Sequence, residues 1–185
     1  AQMSPQNQRQ RKIRQGNEIL YVVEGRERDV IKGEYTIEGK IPGREMLGWI
    51  YHGPFDDLPA QKNVKHVVID WEEISATEGT GIVHIAHGCG QEDHELGKIH
   101  DLAVLAPLDE FGNYLEGFGW LTGRNVDGIS RDIFKDLEAK GIKYRTDSYL
   151  HRYPVCWRHG TELIFRLVDE WFIAMDGVRQ PMMDI

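Results

Sequence analysis

Cysteine is scarce in this chain of 185 residues, which holds only Cys89 and Cys156. Two thiols cannot form the disulfide framework of a small secreted domain, so the composition favours a reducing, cytoplasmic compartment. Apolar runs are short as well, and none approaches the roughly 20 residues that a membrane-spanning helix needs. The first residues also lack the apolar stretch of a secretory signal. We therefore predict a cytoplasmic protein with no membrane partner.

Positive charge is in deficit, with 22 Lys and Arg against 30 Asp and Glu and a formal net charge of −8. A general basic coat for nucleic acid is therefore not expected, although a local basic patch is compatible with this balance. The sequence also contains no phosphate-binding loop, no G-x-S-x-G motif and no paired-histidine zinc motif. These absences argue against a kinase, an NTPase and a serine hydrolase.

Glycine and apolar residues, by contrast, are plentiful. The chain has 20 glycines and is 41% apolar, which indicates a globular fold with many turns. Runs rich in β-branched and aromatic residues predict strands at 19–23, 34–38, 48–52, 64–69, 82–86, 102–105, 142–145, 163–168 and 171–175. Helical spacing predicts helices at 91–98 and 130–140, and residues 55–63 and 109–113 read as a loop and a hairpin turn. The fold class predicted is α+β, rich in strands.

Composition also divides the chain into three segments. Residues 1–18 form a basic polar leader, where Ser4-Pro5 could begin a short helix. Its first 14 positions hold four basic residues and no acidic one: Arg9, Arg11, Lys12 and Arg14. We predict a frayed, solvated leader, with a basic arm touching RNA phosphate as the alternative. Residues 19–150 would be the body and 151–185 a connection to something larger.

The turn Gly79-Thr80-Gly81 and the predicted elements after it concentrate the groups that could carry chemistry. His84 lies on the predicted strand and Asp93 in the opening turn of the predicted helix, so one intervening turn could direct both into one pocket. Such a carboxylate could hold an ammonium group or orient a water, and the imidazole could donate, accept or act as a wall. The alternatives are that His84 is an ordinary core residue and that Asp93 only stabilises the N-terminus of the helix through its dipole.

A second pattern, Cys156-Trp157-Arg158-His159, is half of a zinc site. Zinc takes four ligands, and Cys89 with His87 or His94 is the remaining compositional candidate for a second pair. The alternative is that Cys156 and His159 only organise a hairpin.

Three segments together resemble the editing domain of isoleucyl-tRNA synthetases. Residues 79–93 (GTGIVHIAHGCGQED) are similar to its G-T-G-[IA]-V-H-x-A-P…G-x-[ED]-D motif. Residues 148–158 (SYLHRYPVCWR) are similar to its S-Y-x-H-S-Y-P-H-C-W-R segment, and Trp171-Phe172-Ile173 to its Q-W-F-I segment. Order and separation agree over roughly residues 64–175. Valyl enzymes usually carry lysine and leucyl enzymes an apolar residue where His84 stands, so His84 favours the isoleucyl family.

The resemblance implies a barrel-like editing (connective peptide) domain of a class I synthetase, which hydrolyses valyl-tRNA(Ile) at the aminoacyl ester. By the resemblance, Asp93 is the catalytic residue, which holds the α-ammonium, while His84 lines the side-chain pocket and excludes isoleucine. The remaining substrate-binding residues implied are Gly79, Thr80, Gly81 and Ala86. No covalent nucleophile is implied, because a water attacks the ester.

The same resemblance implies the partners and cofactors. The partners are the 3′ end of tRNA(Ile) carrying a misattached amino acid and the rest of the parent synthetase, and we expect a monomer. The chain itself should hold no cofactor, since ATP and Mg²⁺ serve isoleucine activation in the parent enzyme. Zinc on Cys156 and His159 is the alternative.

The chain also departs from the family pattern. His87 replaces a proline, His159 replaces the second cysteine of C-W-R-C, and the upstream cysteine pair is missing. The threonine-rich peptide that forms the opposite wall of the editing site is not found in residues 1–63. Two rival functions therefore stand beside editing: a non-catalytic tRNA-docking or structural insertion, and the editing domain of a valyl-tRNA synthetase.

Overall fold

The computed structural model describes residues 8–74, 77 and 79–184, so the helix predicted at Ser4-Pro5 lies outside the described residues. The strands are β1 (Arg9–Gln15), β2 (Glu18–Val23), β3 (Thr36–Pro42), β4 (Ile50–Tyr51) and β5 (His66–Val67). The helices are α1 (Glu27–Val30), α2 (Gln91–Ile99), α3 (Ser130–Ala139) and α4 (Asp176–Met183). Short 3-10 turns cover Gly43–Met46, Pro59–Gln61 and Gly119–Leu121. Within the described ranges, none of the helices has the length and apolarity to cross a membrane.

The larger sheet is antiparallel and has the order β2-β1-β3. Ile13 of β1 pairs with Leu20 on one side and Ile37 on the other, and its side chain is completely buried. With Val22 and Ile31, Ile13 forms one of the hydrophobic clusters of the fold. The frayed leader predicted over residues 1–18 is therefore wrong for 9–15, which form the central strand.

The basic residues of β1 are held by acidic residues of the same region. The Arg11 guanidinium lies 3.1 Å from a carboxylate oxygen of the buried Glu27. Lys12 and Arg14 both contact Glu38 of β3, and the hydrogen bonds from Arg14 and then Lys12 lower the pKa of that carboxyl. These side chains neutralise neighbouring carboxylates, so the structure gives the alternative of an RNA-binding basic arm no support at these three positions.

We expect Ile13→Ala to destabilise the protein by about 2–5 kcal/mol, the usual cost of emptying a buried isoleucine site. The matched variant Ile37→Ala removes the same atoms from its β3 partner, which is 49% exposed, and should cost about 1 kcal/mol or less. Urea unfolding followed by circular dichroism measures both. If Ile13→Ala cost no more than Ile37→Ala, residues 9–15 would not form a central strand in solution.

A second cluster of buried residues lies between the loop after β4 and the helical region near residue 130. It consists of Leu58, Phe118, Leu121 and Ile129, with Ile133 of α3 packed against it. Lys140 ties the two regions together, because its ammonium lies 2.8 Å from Asp57 and 3.1 Å from the Pro54 carbonyl oxygen. The apolar face of α3 is thereby fixed against the loop.

The predictions that rest on local signals are confirmed. The helices predicted at 91–98 and 130–140 are α2 and α3, and Gly141 ends α3 in the left-handed region with φ 69°. The predicted hairpin turn is present too, where one Asp109 oxygen accepts from the Phe111 and Asn113 N–H groups at 2.8 Å. Those bonds, with that of Asn113 the largest cause, lower the pKa of Asp109.

Several predicted strands are not confirmed. Residues 82–86, 102–105, 142–145, 163–168 and 171–175 contain no strand, and the predictions at 48–52 and 64–69 shrink to β4 and β5. The helix α4 was not predicted. The described residues form sheets of three and two strands, so the α+β mixture is present but a closed barrel is not. A β-rich pattern identifies which residues suit a strand, but a strand also needs a neighbour in register.

The segment from residue 149 onward contributes little to either cluster. Leu150 and Trp171 are each 99% exposed, and Phe172 is 84% exposed. These three side chains therefore do not belong to the buried core of the described residues.

Candidate functional site

The Gly79-Thr80-Gly81 turn is docked on the end of β2. The Val23 N–H donates to the Thr80 carbonyl oxygen at 2.8 Å, and the Thr80 hydroxyl donates to the Ile82 carbonyl oxygen at 2.9 Å. Gly81 has φ 75°, and a β-carbon there would lie 2.6 Å from Cβ of Val23. Glycine is required at 81 for two reasons, the left-handed backbone and the close approach to Val23. The turn therefore holds the start of residues 81–89 against Val23 of β2.

From this turn, residues 81–89 run along one side of a cavity of about 970 Å³. The other sides are mostly apolar and include Trp49, Ile69 and Phe118. This volume lies at the upper end of the range of about 300–1,000 Å³ for ligand pockets. The cavity is thus larger than one aliphatic side chain needs.

Asp93, in the first turn of α2, reaches back to this wall. Its Oδ2 accepts a hydrogen bond from the Ala86 N–H at 3.0 Å, and a β-carbon at Gly90 would crowd the same oxygen at 3.0 Å. Burial, and secondly the Asp93 charge, raise the pKa of the half-buried Cys89 thiol. The Asp93 carboxylate therefore connects the first turn of α2 to Ala86, in the segment that carries His84.

The structure brings most of the predicted site residues into this one region. Gly81, His84 and Ala86 line the cavity, and Gly79 and Thr80 form the turn that leads into it. Asp93 is not among the lining residues, and it joins the wall through Ala86, two residues from His84. That Asp93 and His84 face one small pocket stays a prediction.

The turn after the cavity wall is closely packed. His87 Nδ1 lies 3.0 Å from the Ala103 carbonyl oxygen, and a β-carbon at Gly97 of α2 would lie 3.1 Å from the His87 side chain, a tight contact. A β-carbon at Gly88 would overlap the carbonyl oxygen of Leu105. His87 is thus part of the contact between the wall and α2.

The Cys156–His159 pair forms a separate small turn. Cys156 Sγ lies 3.3 Å from His159 Nδ1, and the Gly160 N–H donates to the Cys156 carbonyl oxygen at 2.8 Å. Across the described ranges, no group of three or more His, Cys, Asp or Glu residues is placed to hold a metal ion. Zinc prefers four ligands, so two donors do not fit a structural zinc site.

The contact between His66, which lines the cavity, and Asp56 was not predicted from the sequence. His66 lines the cavity, and its Nε2 lies 2.8 Å from Asp56 Oδ1. The sequence signal was a histidine inside the apolar run 64–69, but its partner Asp56 is ten residues away, in the loop between β4 and β5.

No family model matches the chain. The chain is 37% identical over 155 residues to the isoleucine–tRNA ligase of Methanothermobacter thermautotrophicus, covering 83% of this chain and 15% of the relative. It is 35% identical over 179 residues to that of Sulfolobus acidocaldarius, covering 92% and 17%. The isoleucine–tRNA ligase of Pyrococcus abyssi is 38% identical over 165 residues, covering 83% and 15%.

These matches place the chain among the aminoacyl-tRNA synthetases, as the motifs of residues 79–93 predicted. More narrowly, the chain belongs to the isoleucine–tRNA ligase family, with which it shares a domain-sized region. It spans only about 15% to 17% of the length of the relatives named above.

Proposed function

We propose that this chain is an editing domain, which hydrolyses the ester bond of valine misattached to tRNA(Ile). The observation that carries this proposal is the hydrogen bond from the Ala86 N–H to Asp93, since Ala86 belongs to the cavity wall that also includes His84. Asp93 and His84 both belong to the motif that resembles the family, and the Ala86 N–H that binds Asp93 comes two residues after His84.

The chemical need for such a domain follows from the difference between the two amino acids. A missing methylene changes binding in an apolar pocket by only ~1–3 kcal/mol, and isoleucine against valine is the standard example of this problem. A single binding step therefore does not discriminate well enough between isoleucine and valine, and a second site must remove the valine that was wrongly attached. A hydrolytic site needs only a positioned water and a means to hold the aminoacyl group.

The residues divide that task as follows. The Asp93 carboxylate binds the α-ammonium of the misattached residue with a charge-assisted hydrogen bond. His84, which is exposed on the cavity wall, limits the size of the side chain that fits. The Gly79-Thr80-Gly81 turn holds that wall against β2, and Ala86 positions Asp93.

The partners proposed are the 3′ end of mischarged tRNA(Ile) and the remainder of the parent synthetase. The exposed apolar residues after position 149, such as Trp171 and Phe172, support the second partner. We further propose that the parent works in the cytoplasm, that the chain is a monomer without a cofactor of its own, and that ATP and Mg²⁺ serve the parent's isoleucine activation.

Asp93→Asn separates the functional role of Asp93 from a structural one. An amide oxygen can still accept from the Ala86 N–H, whereas the charge that binds an ammonium group is gone. We expect deacylation of valyl-tRNA(Ile) to fall about 10- to 100-fold, equivalent to a lost charge-assisted bond of ~1.5–3 kcal/mol. Glu92→Gln, an exposed carboxylate in the same helical turn, should leave the rate unchanged. Release of labelled valine measures the rates, and circular dichroism checks folding.

The other outcomes decide among the rival functions. If Asp93→Asn released valine as fast as the unaltered chain, the role of Asp93 would be purely structural. Tight tRNA binding without any release of valine would favour a docking module. The absence of both tRNA binding and valine release would favour a structural insertion. Release of threonine from tRNA(Val) in place of valine from tRNA(Ile) would favour the valyl family.

A further inference from the structure

The segment 148–161 combines positive charge with exposed aromatic rings. It contains two arginines, Arg152 and Arg158, and no acidic residue. Both arginines are exposed, and neither guanidinium forms an ion pair within the part of the chain that the structure describes. The cations of β1 differ, because Arg11 and Arg14 are held by neighbouring carboxylates. The positive charge of the segment 148–161 is therefore free to meet an anionic partner.

The end of this segment is a tight turn that presents an aromatic ring together with a cation. The Cys156 N–H donates to the Thr161 carbonyl oxygen at 2.8 Å and closes the turn. Between these two residues, the Arg158 guanidinium lies 4.8 Å from the centroid of the Trp157 ring. The Trp157 side chain is 85% exposed. The backbone bond thus holds the turn while the indole and the guanidinium remain in contact with solvent.

The first half of the segment adds a row of three rings. Tyr149, His151 and Tyr153 are exposed and lie two residues apart, the spacing that places side chains on one face of an extended chain. The ring centroids of Tyr149 and His151 are 5.8 Å apart with an interplanar angle of 22°, and those of His151 and Tyr153 are 6.0 Å apart. Neighbouring rings of this kind offer exposed faces on which further planar groups can stack.

Charge and aromatic content together indicate which partner this surface fits. Single-stranded nucleic acid is bound where bases stack on aromatic rings and phosphates meet cations. The following stretch, 162–176, exposes Trp171 and Phe172 as well, but it holds four acidic residues against the single cation Arg166. A phosphate backbone would be repelled there. The two exposed stretches therefore differ in charge, and only 148–161 is complementary to RNA.

We propose that residues 148–161 bind a single-stranded segment of the tRNA, with a base stacked on Trp157 and phosphates in contact with Arg152 and Arg158. This inference rests on the proposed function for the identity of the RNA. It assigns the tRNA a second contact, outside the residues that line the cavity.

Binding of labelled, uncharged tRNA(Ile) to the full chain tests the proposal without requiring catalysis. Fluorescence anisotropy at several KCl concentrations gives both the Kd and its salt dependence. Stacking of one base contributes enough that Trp157→Ala should raise Kd about 5- to 100-fold, with the salt dependence unchanged. Replacing Arg152 and Arg158 together by Gln should lower the slope of log K against log salt by about 1.4, since each phosphate contact on a single strand contributes roughly 0.7.

Two matched controls separate this surface from general effects of charge and apolar exposure. Lys135→Gln removes an exposed cation that lies 3.4 Å from Asp132, so the salt slope should stay as it was. Trp171→Ala removes an indole that is 99% exposed within the acidic stretch, and Kd should not change. A blunt RNA duplex offers no free base for stacking, so Trp157→Ala should bind it as well as the unaltered chain does.

The outcomes distinguish this surface from the editing function. If the Trp157 and arginine variants bound tRNA like the unaltered chain while valine was still released, the surface would be wrong and editing would stand. If the expected losses of binding occurred but no variant and no unaltered chain released valine, editing would be wrong and the surface would stand. Equal losses in Trp171→Ala, or equal losses on the duplex, would overturn the proposal. So would a Trp157→Ala variant that lost only self-association, because the segment would then bind a second copy.

Discussion

Gly88→Ala is expected to destabilise the protein by about 3 kcal/mol or more. A β-carbon at 88 would overlap the carbonyl oxygen of Leu105, which belongs to the backbone and cannot rotate aside as a side chain can. Overpacking usually costs 1–3 kcal/mol, and a rigid backbone obstacle lies at or beyond the top of that range. For a chain of this length the thermal midpoint should fall by roughly 6–12 °C.

Gly39→Ala is the matched control for that variant. Gly39 lies in β3, and no described atom lies within 4 Å of a β-carbon at that position. Its substitution should change stability by no more than about 0.5 kcal/mol, as is usual for a site without special contacts. Differential scanning fluorimetry and urea unfolding compare the two. Equal midpoints would mean that the turn after the cavity wall does not lie against Leu105.

Gly81→Ala is the second substitution with a large expected effect, about 2–5 kcal/mol. A left-handed backbone costs a non-glycine residue ~1–2 kcal/mol. The overlap with Val23, at 2.6 Å, adds the ~1–3 kcal/mol of a forced core rearrangement. Because the turn at 79–81 starts the wall that carries His84, we also expect valine release to fall in this variant.

The backbone and packing costs can be separated with Gly123→Ala. Gly123 has the same φ of 75° as Gly81, but no described atom lies within 4 Å of a β-carbon there. It should show only the backbone cost of ~1–2 kcal/mol. The excess in Gly81→Ala over Gly123→Ala then measures the contact with Val23. An excess near zero would place the turn away from β2, against the geometry described above.

The part of the candidate site that could be predicted lies within one stretch of chain. The Gly79-Thr80-Gly81 turn, His84 and Asp93 were singled out together because they lie within one motif that resembles the family. In the structure Asp93 accepts from the Ala86 N–H, two residues after His84. The contact between His66 and Asp56 was not predicted, because Asp56 lies ten residues before His66, in the loop between β4 and β5. No local pattern in residues 55–69 marks that contact.

The same distinction holds for the fold. The sequence by itself determined α2 and α3, because a helix hydrogen-bonds within four residues and glycine ends α3 locally. It also carried the motifs of residues 79–93 that identify the family. Only the tertiary structure decided that residues 9–15 are the central strand, that five predicted strands lack partners and that His66 meets Asp56. Strand hydrogen bonds and cavity walls join residues far apart in the chain, and apolar alternation carries no information about which partner a strand will meet.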